Sequence, residues 1–305
     1  LQVDLQLTPQ AVRRASPAFF PRAKGRFYAV VGLDESEEFL RQNRLIRDAW
    51  GPTSVPVCET VPGHNHFTIL ESLVDPKGRL DIPAIEDAFR EGARAMILCS
   101  PHNPSGTVPT DSELERLAMA AAEADAWILA DEIHAPLTLP GAAHTPFLSV
   151  SDAAREHGIC VTSASKAFNV AGLGCAVIVT ASERAARVVS RLPAGATHPG
   201  QLGVIASRAA FSQGDNWLGQ VVGQLDFNRR HLAELLPEML PAANWQEPEA
   251  GYLAWIDARE LGLGPDPSIP ILDQARLAVS SGPGFGRDGA GYFRLNIGTS
   301  PDLIE

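Results

Sequence analysis

A lysine, an aspartate, an asparagine and an arginine are spaced along this chain so that they could work on one electrophilic ring. Lys166 lies in VTSASKAFNVAG, Asp131 in ILADEIHAP, Asn103 in CSPHNPSG and Arg294 in GYFRLNIGTS. An aldehyde carbon is held by an amine, and a lysine whose pKa is lowered by burial and by the group it holds can do this. A pyridine nitrogen stays protonated, and the ring electron-poor, when a carboxylate such as Asp131 faces it. The Asn103 amide can donate to a ring hydroxyl. Ser163 and Ser165, three and one residues before Lys166, offer hydroxyls and N–H groups to a phosphate. Arg294 suits bidentate capture of an amino-acid carboxylate. A cofactor with all four features is pyridoxal 5'-phosphate (PLP). Each residue alone has a plainer reading: a solvated lysine, an Asn-Pro-Ser-Gly turn, a helix-capping acid, a surface arginine. Their order and placement together favour the cofactor.

The elements that must position these residues can also be read. Apolar runs cover residues 95–99, 127–130, 159–162 and 175–180. Continuous runs of this length predict strands buried on both faces, hence parallel. The first three end just before Asn103, on Asp131 and on Ser163. Between the first two, Thr110 and Glu113 form a capping-box pattern ahead of Leu114, Leu117, Ala118 and Ala121, which predicts a helix. In open α/β sheets ligands bind beyond the carboxyl ends of strands. The three strands therefore deliver their polar residues to one edge. Residues 201–240 read as helical with a break near Gly214, and GYLAWID as a strand. The turn SSGPGFGRDGAG has no lysine or helix after it and reads as a tight turn, not a phosphate loop.

The order Asn, Asp, Lys, Arg resembles the fold-type-I PLP enzymes, the aspartate-aminotransferase superfamily. SPHNPSG, DEIHAPL and TSASKAFN resemble its carbon–sulfur lyase branch, the cystathionine β-lyase relatives. The resemblance covers residues 75–305. It implies an α/β fold with a partial, mostly parallel large-domain sheet and a C-terminal α+β small domain. It implies PLP held by Asn103, Asp131, His134, Ser163, Ser165 and Lys166, with Lys166 as catalytic base and Arg294 on the substrate carboxylate. The expected reaction is β-cleavage of cystathionine or another cysteine S-conjugate to thiol, pyruvate and ammonia. His134 stands where aspartate-type aminotransferases carry tyrosine, which favours the lyase over a PLP-dependent aminotransferase, the alternative. Gly174 stands where many relatives carry a phosphate-pairing cation. The family's usual upstream glycine-rich phosphate turn and stacking aromatic are not found. The family also implies a homodimer.

Residues 1–73 resemble something else: the C-terminal tail of an α/β-hydrolase of the kynurenine formamidase type. The carrying stretches are LTPQAVRRASPAFF, GRFYAVVGLDESEEFLRQNRLIRDAWG and PGHNHFTILESL. A strand is expected over 27–31 and an amphipathic helix over 36–50. By position Glu35 would be the acid, with Asp34 second, and His66 the base. The chain holds no G-x-S-x-G nucleophile motif. His64 and His66 alone make a weak zinc pair, and no metal is expected. The expected division is 1–73 hydrolase-like, 74–197 PLP-binding large domain and 198–305 small domain. The chain starts at Leu1, and its last motif stops where the lyase family continues, so a catalytically inactive fused or truncated fragment is a third expectation.

Composition bounds the rest. The 305 residues carry a formal charge of −11 and no basic run, which argues against a nucleic-acid partner. No apolar stretch reaches the length of a membrane span, and no signal peptide is visible. Cys58, Cys99, Cys160 and Cys175 are scattered and read as buried thiols of a reducing compartment, so a cytoplasmic location is expected.

Overall fold

The computed structural model describes residues 28–32, 37–55, 57–61, 79–192 and 199–304. The chain divides into two compact units. One comprises residues 1–71 with 284–287, the other 72–283 with 288–305.

In the first unit, strand β1 (Tyr28–Gly32) pairs in parallel with β2 (Val57–Val61), and helix α1 (Glu37–Trp50) connects them. The strand and helix fall within one residue of their expected limits.

The second unit holds two four-stranded sheets. The first has the order β3 (Ala95–Cys99), β4 (Trp127–Asp131), β5 (Gly158–Thr162), β6 (Val177–Val179). The β3–β4 and β4–β5 pairs are parallel. Helix α2 (Ile82–Arg90) precedes β3, α3 (Asp111–Glu123) joins β3 to β4, and α4 (Asp152–His157) joins β4 to β5. Their apolar sides meet Met96, Leu98, Ile128 and Ala130 in one core that also takes Phe147.

Two expectations need correction here. Strand β6 is antiparallel to β5. The 14 residues between them, 163–176, are enough for a parallel crossover as well, so an apolar run does not fix the sense of its pairing. Burial on both faces also fails at the sheet margins. Ala95 and Ile97 of β3 are exposed, and so are all three residues of β6. An apolar run reports affinity for a core, not which side the core occupies.

Helix α3 starts as its sequence requires. Thr110 Oγ1 accepts from Glu113 N at 3.3 Å, and Thr110 N donates to Glu113 Oε2 at 2.7 Å. Thr110→Ala is expected to cost about 1 kcal/mol, read as a shift in the urea midpoint at unchanged slope.

One-turn helix α5 (Ala164–Ala167) follows β5, and α6 (Glu183–Val189) follows β6. Helices α7 (Gln201–Gln213) and α8 (Asp215–Met239) are broken at Gly214 as expected. The second sheet has the order β7 (Asn244–Trp245), β8 (Leu253–Asp257), β10 (Tyr292–Asn296), β9 (Ser280–Ser281), and its three strand pairs are antiparallel. Helix α9 (Ser268–Ala275) lies between β8 and β9 in sequence. Leu232 and Leu236 of α8 pack on Ile256 and Phe293 of this sheet to form a second core.

Candidate active site

The carboxyl ends of β3, β4 and β5 are level. Cys99 stands opposite Asp131, and Asp131 opposite Val161. Two backbone bonds extend the ladder past the strands, Ser100 N to Asp131 O and Glu132 N to Val161 O, both 2.9 Å. The Asp131 side chain is fixed at the strand end, where Oδ1 accepts from Ile133 N at 3.1 Å. Ser163 caps α5, accepting from Ser165 N at 3.0 Å, and donates its own proton to Cys175 O at 2.6 Å. That short capped turn presents Lys166, which lines a cavity of about 390 Å³ with Ser165, Trp217, Gln224 and Tyr252.

Arg294 reaches the same region from the second sheet. Its Nη1 donates to Asn103 Oδ1 at 2.9 Å and its Nη2 to Ser280 Oγ at 3.1 Å. Residues 191 positions apart thus share one hydrogen bond. Burial draws the Arg294 pKa below its ordinary value, and the nearby Tyr252 opposes this. His134 is buried, its ring edge-on to Tyr252 at 6.0 Å. Burial lowers the His134 pKa most, the Lys166 and Arg294 charges lower it further, and Asp131 acts against them. These couplings place His134, Lys166, Asp131 and Arg294 within electrostatic reach of one another, with His134 neutral at pH 7.

The loop carrying Asn103 is braced from within. His102 Nδ1 and Ser105 Oγ lie 2.8 Å apart, and Ser105 Oγ and Thr107 Oγ1 2.9 Å apart. Gly106 has φ +71°, and its carbonyl accepts from both Glu249 N and Ala250 N at 3.0 Å. A Cβ at Gly106 would collide with Pro248 and lie 2.9 Å from Ala250 O. Gly106→Ala is therefore expected to cost about 2–4 kcal/mol, measured by chemical denaturation.

Burial pushes the His102 pKa from 6.5 down to about 4. The unfolded chain takes up this proton first, so stability is full above pH 6.5 and is lost as pH falls from 6.5 towards 4. By pH 5 the loss is about 2 kcal/mol. Denaturation midpoints from pH 7 to 5 should show it, and His102→Asn should flatten the dependence over that range.

The donor set suits PLP at its ring. Lys166 supplies the amine and Asp131 the carboxylate. Because Arg294 occupies the Asn103 carbonyl oxygen, the amide is oriented and its NH2 is the donor left for a ring hydroxyl. At the phosphate end one expectation changes. The Ser163 proton is committed to Cys175 O, since a hydroxyl just after a strand can serve equally as a helix cap, so Ser165 is the better-placed phosphate donor. Gly174 adopts the left-handed conformation, φ +54°, at the end of a short turn and brings no cation.

Sequence reasoning missed Tyr252 and Ser280. Tyr252 is the second residue of the GYLAWID stretch, and the glycine before it was the only local signal; Gly251 adopts φ +84°. Ser280 meets Arg294 through strand register alone. Asp34, Glu35, His64 and His66 lie outside the described residues. Among the described residues no group of three or more His, Cys, Asp or Glu could hold a metal ion. Among them, too, no helix is long and apolar enough to cross a membrane.

A family model described as aminotransferase class I and II matches residues 65–305. A Mycobacterium leprae relative whose name, cystathionine beta-lyase, carries a provisional qualifier is 37% identical over 263 residues, 79% of this chain. The chain spans 65% of that relative's length. The cystathionine beta-lyase PatB of Bacillus subtilis is 33% identical over 261 residues, covering 83% of this chain and 67% of PatB. The solved PLP-bound C-S lyase of Staphylococcus hominis is similar at TM-score 0.69 and 26% identity, over 92% of this chain and 68% of that one. Coverage of that extent enters residues 1–73, so the hydrolase reading of the segment rests on its sequence motifs alone.

Proposed function

Because this chain belongs to the aminotransferase class I and II family and has the α/β fold of fold-type-I PLP enzymes, we propose that it is a PLP-dependent carbon–sulfur β-lyase. Its substrates would be cystathionine or other cysteine S-conjugates, released as thiol, pyruvate and ammonia. The observation that supports this best is the Asn103–Arg294 hydrogen bond. It joins a guanidinium suited to an amino-acid carboxylate to the strand edge that carries Asp131, His134 and Lys166.

PLP, when bound, supplies an electron-poor ring that accepts the electrons of the substrate's Cα–H bond. The protein's own side chains do the rest. Arg294 binds the substrate carboxylate and so sets which Cα bond points at Lys166. The Lys166 amine takes the Cα proton as general base. Asp131 would hold positive charge on the ring nitrogen, and the Asn103 NH2 would donate to the ring hydroxyl. His134, neutral beside it, adds no charge that would compete with Asp131. The thiolate leaves from Cβ.

The test is absorbance after incubation with PLP and dialysis, followed by pyruvate release from cystathionine with no keto acid added. Pyruvate without an acceptor supports the lyase. Turnover only with an acceptor supports the aminotransferase reading, and a chain that retains no cofactor sinks both. The proposal extends to a homodimer acting in the cytoplasm, divided near residues 73 and 197, with residues 1–73 descended from a hydrolase tail. Family resemblance, net charge and motifs support these points. Sedimentation as a monomer at micromolar concentration would remove the dimer.

A further inference from the structure

Arg294 is one member of a row. Side chains alternate along a strand, so Tyr292, Arg294 and Asn296 share one face of β10. Trp255 of β8 stands directly opposite Arg294, and Asp257 opposite Tyr292. On this face the Trp255 and Tyr292 rings stack, 5.3 Å apart and 11° from parallel. They form the floor of a cleft of about 390 Å³. Trp245, Gln246 and Ser105, two residues beyond Asn103, line it as well. The cleft thus starts one cross-strand neighbour away from the guanidinium that would hold a substrate carboxylate.

We propose that this cleft receives the group carried on the substrate's sulfur, and that it selects aryl or aralkyl conjugates of cysteine. The inference rests on the lyase reading for its substrate class. The floor is an indole stacked with a phenol, which favours a planar apolar ring. The far end does not suit the zwitterionic tail of cystathionine. Its carboxylate, Asp257, is held by Arg259 at 2.6 and 2.9 Å, and the Arg259 guanidinium lies over the Tyr292 ring at 5.0 Å. The one acid and its cation satisfy each other, so a second ammonium and carboxylate would lose water without gaining full partners.

The probes are 3-(benzylthio)propanoate and 3-(methylthio)propanoate. Each keeps the carboxylate and the sulfur substituent, and neither has the amine needed to react with PLP. Their binding therefore does not depend on the lyase reaction, and a failure of that reading shows separately, as no pyruvate from either cystathionine or S-benzylcysteine. Isothermal titration of the full chain is expected to show the benzyl acid binding about tenfold more tightly than the methyl acid. Trp255→Leu should bring the ratio to within about twofold, whereas Arg294→Lys should weaken both acids and leave the ratio standing. Asn244→Trp, at the exposed edge of the cleft, should lower benzyl affinity without disturbing the floor, which keeps the test decisive if Trp255→Leu folds poorly. Equal affinities in the wild type, no binding of either acid, or a benzyl preference that survives both Trp255→Leu and Asn244→Trp would overturn the proposal.

Discussion

Lys166→Ala is expected to abolish the retained PLP absorbance band and to lower lyase turnover by at least about four orders of magnitude. Two losses combine. The amine that anchors the aldehyde carbon disappears, and so does the base that removes the Cα proton, a role worth about 10²–10⁴ by itself. The structural cost should be small, because Lys166 is exposed at the end of a one-turn helix whose cap is made by Ser163. Thermal melts of the two proteins without PLP should nearly coincide. A variant that kept the band would show that a different amine holds the cofactor and would remove Lys166 from the mechanism.

Arg294→Ala is expected to lower kcat/KM by about 10²–10⁴. A hydrogen bond to a charged group contributes about 1.5–3 kcal/mol, and a bidentate carboxylate pair makes two. Most of the loss should appear in KM, because the carboxylate is bound before and during reaction alike. A second effect follows from the bond to Asn103. Without Arg294 the Asn103 carbonyl loses its partner, so PLP affinity should fall as well, by about tenfold. Arg294→Lys separates the two effects: it restores charge but not the fork. Recovery of PLP affinity with little recovery of KM is the expected result, and full recovery of both would refute the bidentate role.

Much of this site could be read from residue types. A strand ending in Asp131 and a turn holding Asn103 follow from local sequence, whereas the one-turn helix that carries Lys166 was not foreseen. What could not be read depends on neighbours distant in the chain. The Arg294 partners come from a turn (Asn103) and a distant strand (Ser280) brought together by packing. The commitment of Ser163 to Cys175 O depends on the path of the chain after α5, and the serine itself carries no mark of it. The direction of β6 could not be read either, since Val-Ile-Val suits either sense of pairing. For the same reason the open side of β3 was invisible. Its alternating exposure reflects which face the helices cover, and a run of five apolar residues has no preference between faces.

If Arg294 takes the substrate carboxylate as proposed, the Asn103–Arg294 bond would also make the site a sensor of its own occupancy. An incoming carboxylate draws on the same guanidinium that now donates to the Asn103 carbonyl. The amide is one rigid plane, so a change at its oxygen would be felt at its nitrogen, the atom left to donate to the ring hydroxyl of a bound PLP. News that a substrate has arrived therefore needs no moving domain to reach the cofactor. It would pass through a single side chain.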